Sequence, residues 1–321
     1  TWINTGYHIM KCSAFWNHTN IRSGNRVYPC CRFKRSIATF DGDVDNVLHS
    51  TAYQDLREQS AKGEFIKGCE KCFYEEKIGH KSLREEFNEK YSMDKVELKF
   101  LEIGFDNLCN LTCDGCNSEF STSWIVKEKE IYGAPKHKLM EIDDVTNVPN
   151  TLEKILFLGG EPLITNRHLK LLRQVKNKSN VEIIYNTNGT FIPNDEVVEE
   201  LRHYKKVTFI LSIDGIGELG ERVRSGTKWP DVVKFIDWVH DNMYTLEFNS
   251  VLHKNNYMGL KDLHDFCTRF TNTRWYINVL TFPFDLDINV LDADAKNGII
   301  SDAERLNLPN KDFIINHLQK N

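Results

Sequence analysis

KFLEIGFDNLCNLTCDGC, residues 99–116, joins a short apolar run to a loop that carries Cys109, Cys113 and Cys116 at C-x3-C-x2-C spacing. The run at 99–105 reads as a strand. Five more of that texture follow: KILFL at 154–158, VEIIYN at 181–186, KVTFILS at 206–212, LEFNSV at 246–251 and RWYINVL at 274–280. The segments between them read as helices. NRHLKLLRQV sets Leu169, Leu172 and Val175 on one face, PNDEVVEELRHY opens with acids in its first turn, and WPDVVKFIDWVHDN carries Pro230 at a helix start. Strands alternating with helices predict an α/β fold of parallel β/α units. Such units wind into a barrel or an open doubly wound sheet, with the ligand at the carboxyl ends of the strands.

Three thiolates are one short of a closed metal site. Structural zinc and ordinary electron-transfer clusters take four protein ligands, so three in one loop suggest an iron left open for a small molecule. A zinc knuckle completed by a remote ligand such as His168 is the plainer alternative. Cys267 stands apart, at helical spacing with Leu260, Leu263 and Phe270, and reads as a core residue.

The loop resembles the hallmark of the radical SAM superfamily, in which C-x3-C-x2-C follows the first strand of a partial (β/α)6 barrel. Where that family usually has an aromatic residue before the third cysteine, this chain has Gly115. FLGGEPLI at 157–164 closes the second strand, and its Gly159, Gly160, Glu161 and Pro162 resemble the family's motif for the methionine amino group. YNTNGT at 185–190, with Asn186 and Asn188, resembles the strand end that contacts the ribose. LSIDGIGELGERVRSG at 211–226 resembles the next, placing Ser212, Asp214 and Arg224 near the nucleoside or the methionine carboxylate. Glycines that admit close backbone approach, short polar residues at strand ends and an arginine for a carboxylate suit a small polar cofactor. The resemblance implies a [4Fe-4S] cluster on Cys109, Cys113 and Cys116 that binds S-adenosylmethionine. It also implies a one-electron donor such as flavodoxin or ferredoxin, and a 5′-deoxyadenosyl radical that takes hydrogen from a substrate.

Residues 1–92 carry five of the nine cysteines and few apolar runs, so this part needs a staple to hold it. One helix signal stands out, HSTAYQDLREQ, with Ser50 as cap and Ala52, Tyr53 and Leu56 inward. Cys12, the YPCC pair Cys30 and Cys31, and GCEKC with Cys69 and Cys72 resemble the twitch module, a shortened SPASM-like auxiliary-cluster domain, here preceding the barrel. That resemblance implies an auxiliary iron-sulfur cluster, [4Fe-4S] in type, on Cys12, Cys30, Cys69 and Cys72, with Cys31 as the alternative to Cys30; four thiolates would satisfy Zn2+ equally. EEKIGHKSLREEFNEKY, with His80, Arg84, Glu85 and Asn88, joins module to barrel, either lining the substrate side or forming a solvated helical face. The expected division is thus a module at 1–92, a partial barrel at 93–285 and a carboxyl-terminal tail of unassigned role at 286–321.

The 321 residues carry a formal charge of −5 from interspersed acids and bases, which gives no overall basic field for nucleic acid or an anionic membrane. No apolar stretch approaches the roughly 20 residues that span a bilayer, and the start TWINTGYHIMKC lacks a signal-peptide pattern, so a cytoplasmic protein is expected. Clustered cysteines in a reducing compartment favour metal over disulfides. The expected substrate is a peptide side chain, toward which the module leans, or a small metabolite such as a sugar or nucleotide. A non-catalytic iron-sulfur or zinc redox sensor is the alternative of another class.

Overall fold

A computed structural model describes residues 11–77, 79–142 and 144–319; the opening ten residues, on which the signal-peptide reading rests, lie outside them. The described strands are β1 His18–Arg22, β2 Arg26–Tyr28, β3 Ala38–Thr39, β4 Phe100–Gly104, β5 Thr112–Cys113, β6 Lys154–Leu158, β7 Glu182–Thr187, β8 Lys206–Ser212, β9 Arg224–Ser225, β10 Thr245–Leu252 and β11 Arg274–Val279. One sheet runs β11-β10-β8-β7-β6-β4-β1-β2-β3, and β5 pairs with β9 apart from it. The six expected strands are β4, β6, β7, β8, β10 and β11, and every pairing among them is parallel.

Alternation along the strands decides what each face does. Leu101, Ile103, Ile155, Phe157, Ile183, Tyr185, Phe209 and Phe248 point to the outer face, where the crossover helices bury Leu169, Leu172, Val197, Phe235 and Leu263 against them. Cys267 lies in this core, as expected. A column of rings crosses four strand ends: Phe105, Phe157, Tyr185 and Phe209 follow one another at centroid separations of 6.5, 4.9 and 5.2 Å. Residues of the other parity, among them Glu102, Asn186, Ser212 and Asn249, form the inner face.

Sequence reading missed β1, β2 and β3. β1 pairs parallel with β4, with Asn20 opposite Glu102, so the amino-terminal segment continues the same sheet. Its Ile21, Val27, Val44, Leu48 and Tyr53 share the main core. The pattern was hard to see because HTNIR is polar on its inner side, where His18 and Asn20 are nevertheless fully buried. The expected helix forms as Thr51–Ala61 with Tyr53 and Leu56 buried, but Ser50 makes no side-chain cap; its hydroxyl donates to the Val47 carbonyl at 2.8 Å.

In EEKIGHKSLREEFNEKY the helix that follows Ser82 exposes Glu86, Glu89 and Lys90, the expected solvated face, and ties its other side into the protein. Ser82 and Glu85 form a capping box for the helix Leu83–Lys90, Asn88 and Arg84 both donate to the Lys11 carbonyl, and Arg84 grips Glu76. Phe87 of that helix sits 4.8 Å from the His18 ring and 6.1 Å from Phe100, closing the amino-terminal end of the inner face. The segment at 286–321 folds as helices Ala293–Arg305 and Lys311–Gln319, whose Ile299, Ala303 and Ile314 pack with Leu252 and Ile277. Phe313 there lies 5.8 Å from His80. Among the described residues no helix is long and apolar enough to cross a membrane.

Phe209 contacts Tyr185, Phe235, Trp238 and Tyr244 at centroid distances of 5.2 to 5.6 Å. Phe209→Ala is expected to cost about 3–5 kcal/mol of unfolding free energy in a denaturant titration. A loss below about 1 kcal/mol would contradict the ring column as a core element.

Candidate active site

The cysteine loop leaves the carboxyl end of β4 and is pressed at once against the turn after β6. A Cβ on Gly159 would fall 2.6 Å from the Asp106 carbonyl oxygen, and one on Gly160 2.2 Å from that of Leu108. Gly159 also has φ +127°, a conformation that side chains disfavour. In return the Gly160 and Glu161 amides donate to Asp106 and Leu108 at 3.1 and 2.8 Å. The glycines expected to admit a ligand thus also let two backbones meet.

Short polar side chains hold the rest of the loop. Ser123 and Ser121 donate to the carbonyls of Cys109 and Leu111 at 2.8 and 2.6 Å, Thr122 bonds the Cys109 amide at 3.2 Å, and the Trp124 indole reaches the Cys113 carbonyl at 3.1 Å. Cys113 pairs across the small ladder with Arg224, and Asn255 donates to the Asp114 carboxylate at 2.7 Å. Asn110 donates to Thr190 and accepts from Asn188, both at 3.0 Å. Outside the loop, Asn188, Thr190 and Arg224 lay in the quoted motifs and Asn255 did not; the density of hydroxyls in SEFSTS is the signal that could have pointed to the loop's internal bonds. The space beside Gly115 is filled: a Cβ there would lie 2.8 Å from Leu280.

The strand ends gather around this loop. Asp214 spends both carboxylate oxygens within the protein, one on the Val251 amide at 2.7 Å and the other on Arg224 at 2.8 Å, so it orients the guanidinium. Nε of Arg224 is buried with no partner among the described residues. Ser212 and Asn186 stand side by side on the inner face, 3.4 Å apart at their polar atoms. Pro162 ends the turn, its carbonyl bonded by the buried His168. Burial pushes the Cys113 thiol up to about 11 and Cys116 up to about 12, and raises Cys109 also. Without metal these thiols keep their protons, and metal binding must displace them.

The second cysteine set lies between β2 and the helix Glu70–Lys77. Cys12, Cys30 and Cys69 belong to one apolar cluster with Phe15, Phe33 and Ile66, and Cys72 is buried beside it. Burial pushes Cys12 up to about 12, with Cys72 adding to the shift; burial also raises Cys30, on which Cys31 and then Cys12 and Cys72 act, and Cys69, on which Cys12 and Cys72 act. Cys31 is exposed, and the charges acting on its thiol are Glu102, Arg32 and Arg22. Among the described residues no three His, Cys, Asp or Glu side chains converge as they would on a single ion.

Glu161 is buried, and its carboxylate accepts from the Thr187 hydroxyl at 2.7 Å and the Asn188 and Leu163 amides at 2.6 and 3.1 Å. Burial outweighs these donors and raises its pKa from 4.5 to about 7. The folded state therefore binds this proton more tightly than the unfolded state does, so the stability contributed by this group falls as pH rises from about 4.5 to 7. Relative to Glu161→Gln, the wild type should lose up to about 3 kcal/mol across the window in denaturant titrations at stepped pH. A pH-independent difference between the two proteins would contradict the raised value.

The Radical SAM superfamily model matches residues 105–267. A probable GTP 3′,8-cyclase of Methanocaldococcus jannaschii is 26% identical over 176 residues, 53% of this chain and 55% of the relative. The S-adenosylmethionine-dependent nucleotide dehydratase of Lacinutrix mariniflava is 29% identical over 184 residues, 53% of this chain and 36% of that protein. The chain thus spans about half the length of the first relative and about a third of the second. Among solved structures, native anSMEcpe with bound AdoMet aligns at TM-score 0.47 and 16% identity over 64% of this chain and 60% of its own. Streptococcus suis SuiB bound to S-adenosylmethionine aligns at TM-score 0.43 and 16% identity, over 84% and 50%. The three-cysteine loop, the glycine turn and strands β6, β7, β8 and β10 all fall inside the matched span, and this chain belongs to the radical SAM superfamily of enzymes.

Proposed function

We propose that this protein holds a [4Fe-4S] cluster on Cys109, Cys113 and Cys116, cleaves S-adenosylmethionine there, and takes hydrogen from an organic substrate on the inner face of the sheet. The observation that carries this reading is the meeting of the cysteine loop, the Gly159–Pro162 turn and the Asp214–Arg224 pair at the carboxyl ends of the strands. The residues fit the group: three thiols leave one iron position open, and the unpartnered Nε of Arg224 beside them suits a carboxylate. When bound, the cluster and S-adenosylmethionine supply one-electron cleavage to a 5′-deoxyadenosyl radical.

The protein's part is placement and exclusion of water. Arg224 holds the methionine carboxylate, the backbone of Gly159, Gly160 and Pro162 approaches its amino group, and Asn186 and Ser212 meet the nucleoside. Glu161, Asn188 and Asp214 act by fixing those groups, since their own polar atoms are bonded within the protein.

We assign residues 1–92 to a twitch-like module with an auxiliary [4Fe-4S] cluster on Cys12, Cys30, Cys69 and Cys72. The packing of Cys12, Cys30 and Cys69 in one apolar cluster, with Cys72 buried beside it, supports this choice, as does the exposure of Cys31. Four cysteine ligands leave no iron for substrate, which suits electron transfer or structure. Residues 93–285 form the partial barrel, a reading supported by crossover helices packed on the outer face, and 286–321 cover its last strands. The names of the relatives, GTP 3′,8-cyclase and nucleotide dehydratase, favour a nucleotide-like metabolite over the peptide toward which the module leaned. The electron donor is a flavodoxin or ferredoxin.

Anaerobically reconstituted wild type is expected to hold about eight iron per chain and to form 5′-deoxyadenosine from S-adenosylmethionine with a strong reductant. Cys113→Ala should reduce that product to background. A reducible wild-type cluster that forms no nucleoside would defeat the catalytic reading.

A further inference from the structure

Arg22 ends β1, on the same side of the strand as His18 and Asn20, whose side chains meet Glu102 on the inner face. Because β1 runs parallel to β4, Arg22 stands at the end of the sheet from which the cysteine loop departs. Its guanidinium lies 4.1 Å over the Tyr28 ring, donating through Nε to the Asn20 side-chain oxygen at 3.2 Å and through Nη2 to the Cys31 carbonyl at 3.3 Å. These partners are all uncharged, and among the described residues no carboxylate is within ion-pair distance of Arg22. Glu102, the nearest acid on that wall, is engaged by Asn20 and His18.

Directly opposite in the β1–β2 pair is Arg26. Its Nη1 donates to Glu119 of the cysteine-loop segment at 2.7 Å and its Nε to the Ser23 carbonyl at 3.1 Å, while its Nη2 is buried without a partner among the described residues. Two arginines therefore occupy paired positions with one carboxylate, Glu119, bonded to Arg26. Like charges across a strand pair are destabilising, and a partly desolvated cation is costly unless an anion completes it. The stacked guanidinium is held rigid by bonds that take Nε and one hydrogen of Nη2, which leaves the Nη1 edge, with the second Nη2 hydrogen, to meet a carboxylate or phosphate.

We infer that Arg22, with Arg26 beside it, binds an oxyanion group of the substrate, phosphate or carboxylate, on the wall that the amino-terminal segment adds to the inner face. This rests on the reading of that face as the reaction chamber. It gives the segment a part in substrate selection besides holding metal.

The test is calorimetric titration of reconstituted full-length protein with S-adenosylmethionine and no reductant, using tripolyphosphate and, separately, succinate. At least one anion should bind wild type saturably, and Arg22→Met should weaken it tenfold or more. Arg22→Lys keeps the charge but loses the fork; it should weaken binding several-fold and decides the matter if thermal melting shows Arg22→Met unfolded. Tripolyphosphate alone would indicate a phosphorylated substrate, and succinate alone a carboxylate. Failure of both anions to bind, or equal binding by wild type and the folded variants, would overturn the inference. No turnover is involved, so this outcome is independent of whether wild type forms 5′-deoxyadenosine under reduction, which tests the catalytic reading.

Discussion

The backbone of Gly159 and Gly160 lies against the carbonyls of Asp106 and Leu108, at a separation where a single Cβ would fall 2.6 or 2.2 Å from oxygen. That contact fixes the cysteine loop to the second parallel strand of the set. From there the order spreads: Glu161 next in the turn reaches the amide of Asn188, Asn188 bonds Asn110, and Asn110 sits between the first two cysteines. Thr187 braces Glu161, and Thr190 braces both Asn188 and Asn110, so the turn and the loop are tied together through the end of β7. The anchors on the other side of the loop, Trp124, Asn255 and the Cys113–Arg224 ladder, hold its later half.

Much of this was legible because the physics is local. A strand with an apolar outer face must alternate, and KILFL and KVTFILS showed it; both strands have the expected bounds, 154–158 and 206–212. The loop and turn were legible because their residue types have few other uses at that spacing. What escaped was non-local. HTNIR looks polar because its inner residues are satisfied by Glu102, the Pro29 carbonyl and one another, partners that sequence cannot place. The carboxyl-terminal segment likewise gains a core from Leu252 and Ile277 that its own sparse apolar residues did not announce. Asp214 and Glu161 were found, but the protein donors that each accepts from could not be placed from sequence.

The amino-terminal segment shares a sheet and a core with the rest. The polar wall His18–Asn20–Glu102 is closed at one end by Phe87 and Phe100 and at the other carries Arg22. The cysteines of this segment are tied to the same wall, since Tyr28 pairs with Asn20 of β1 and is followed by Pro29 and Cys30.

The pairing of β1 with β4 also sets an order of events. Asn20 and Glu102 are separated by 82 residues, and the strand that β1 must join is itself aligned by β6. Long loop closures of this kind are slow compared with helix formation and adjacent β/α pairing. The first part of the sheet to be synthesised is then among the last to be completed, so delivery of the cluster proposed for the amino-terminal thiols would either precede the closing of β1 on β4 or follow a later opening of that edge.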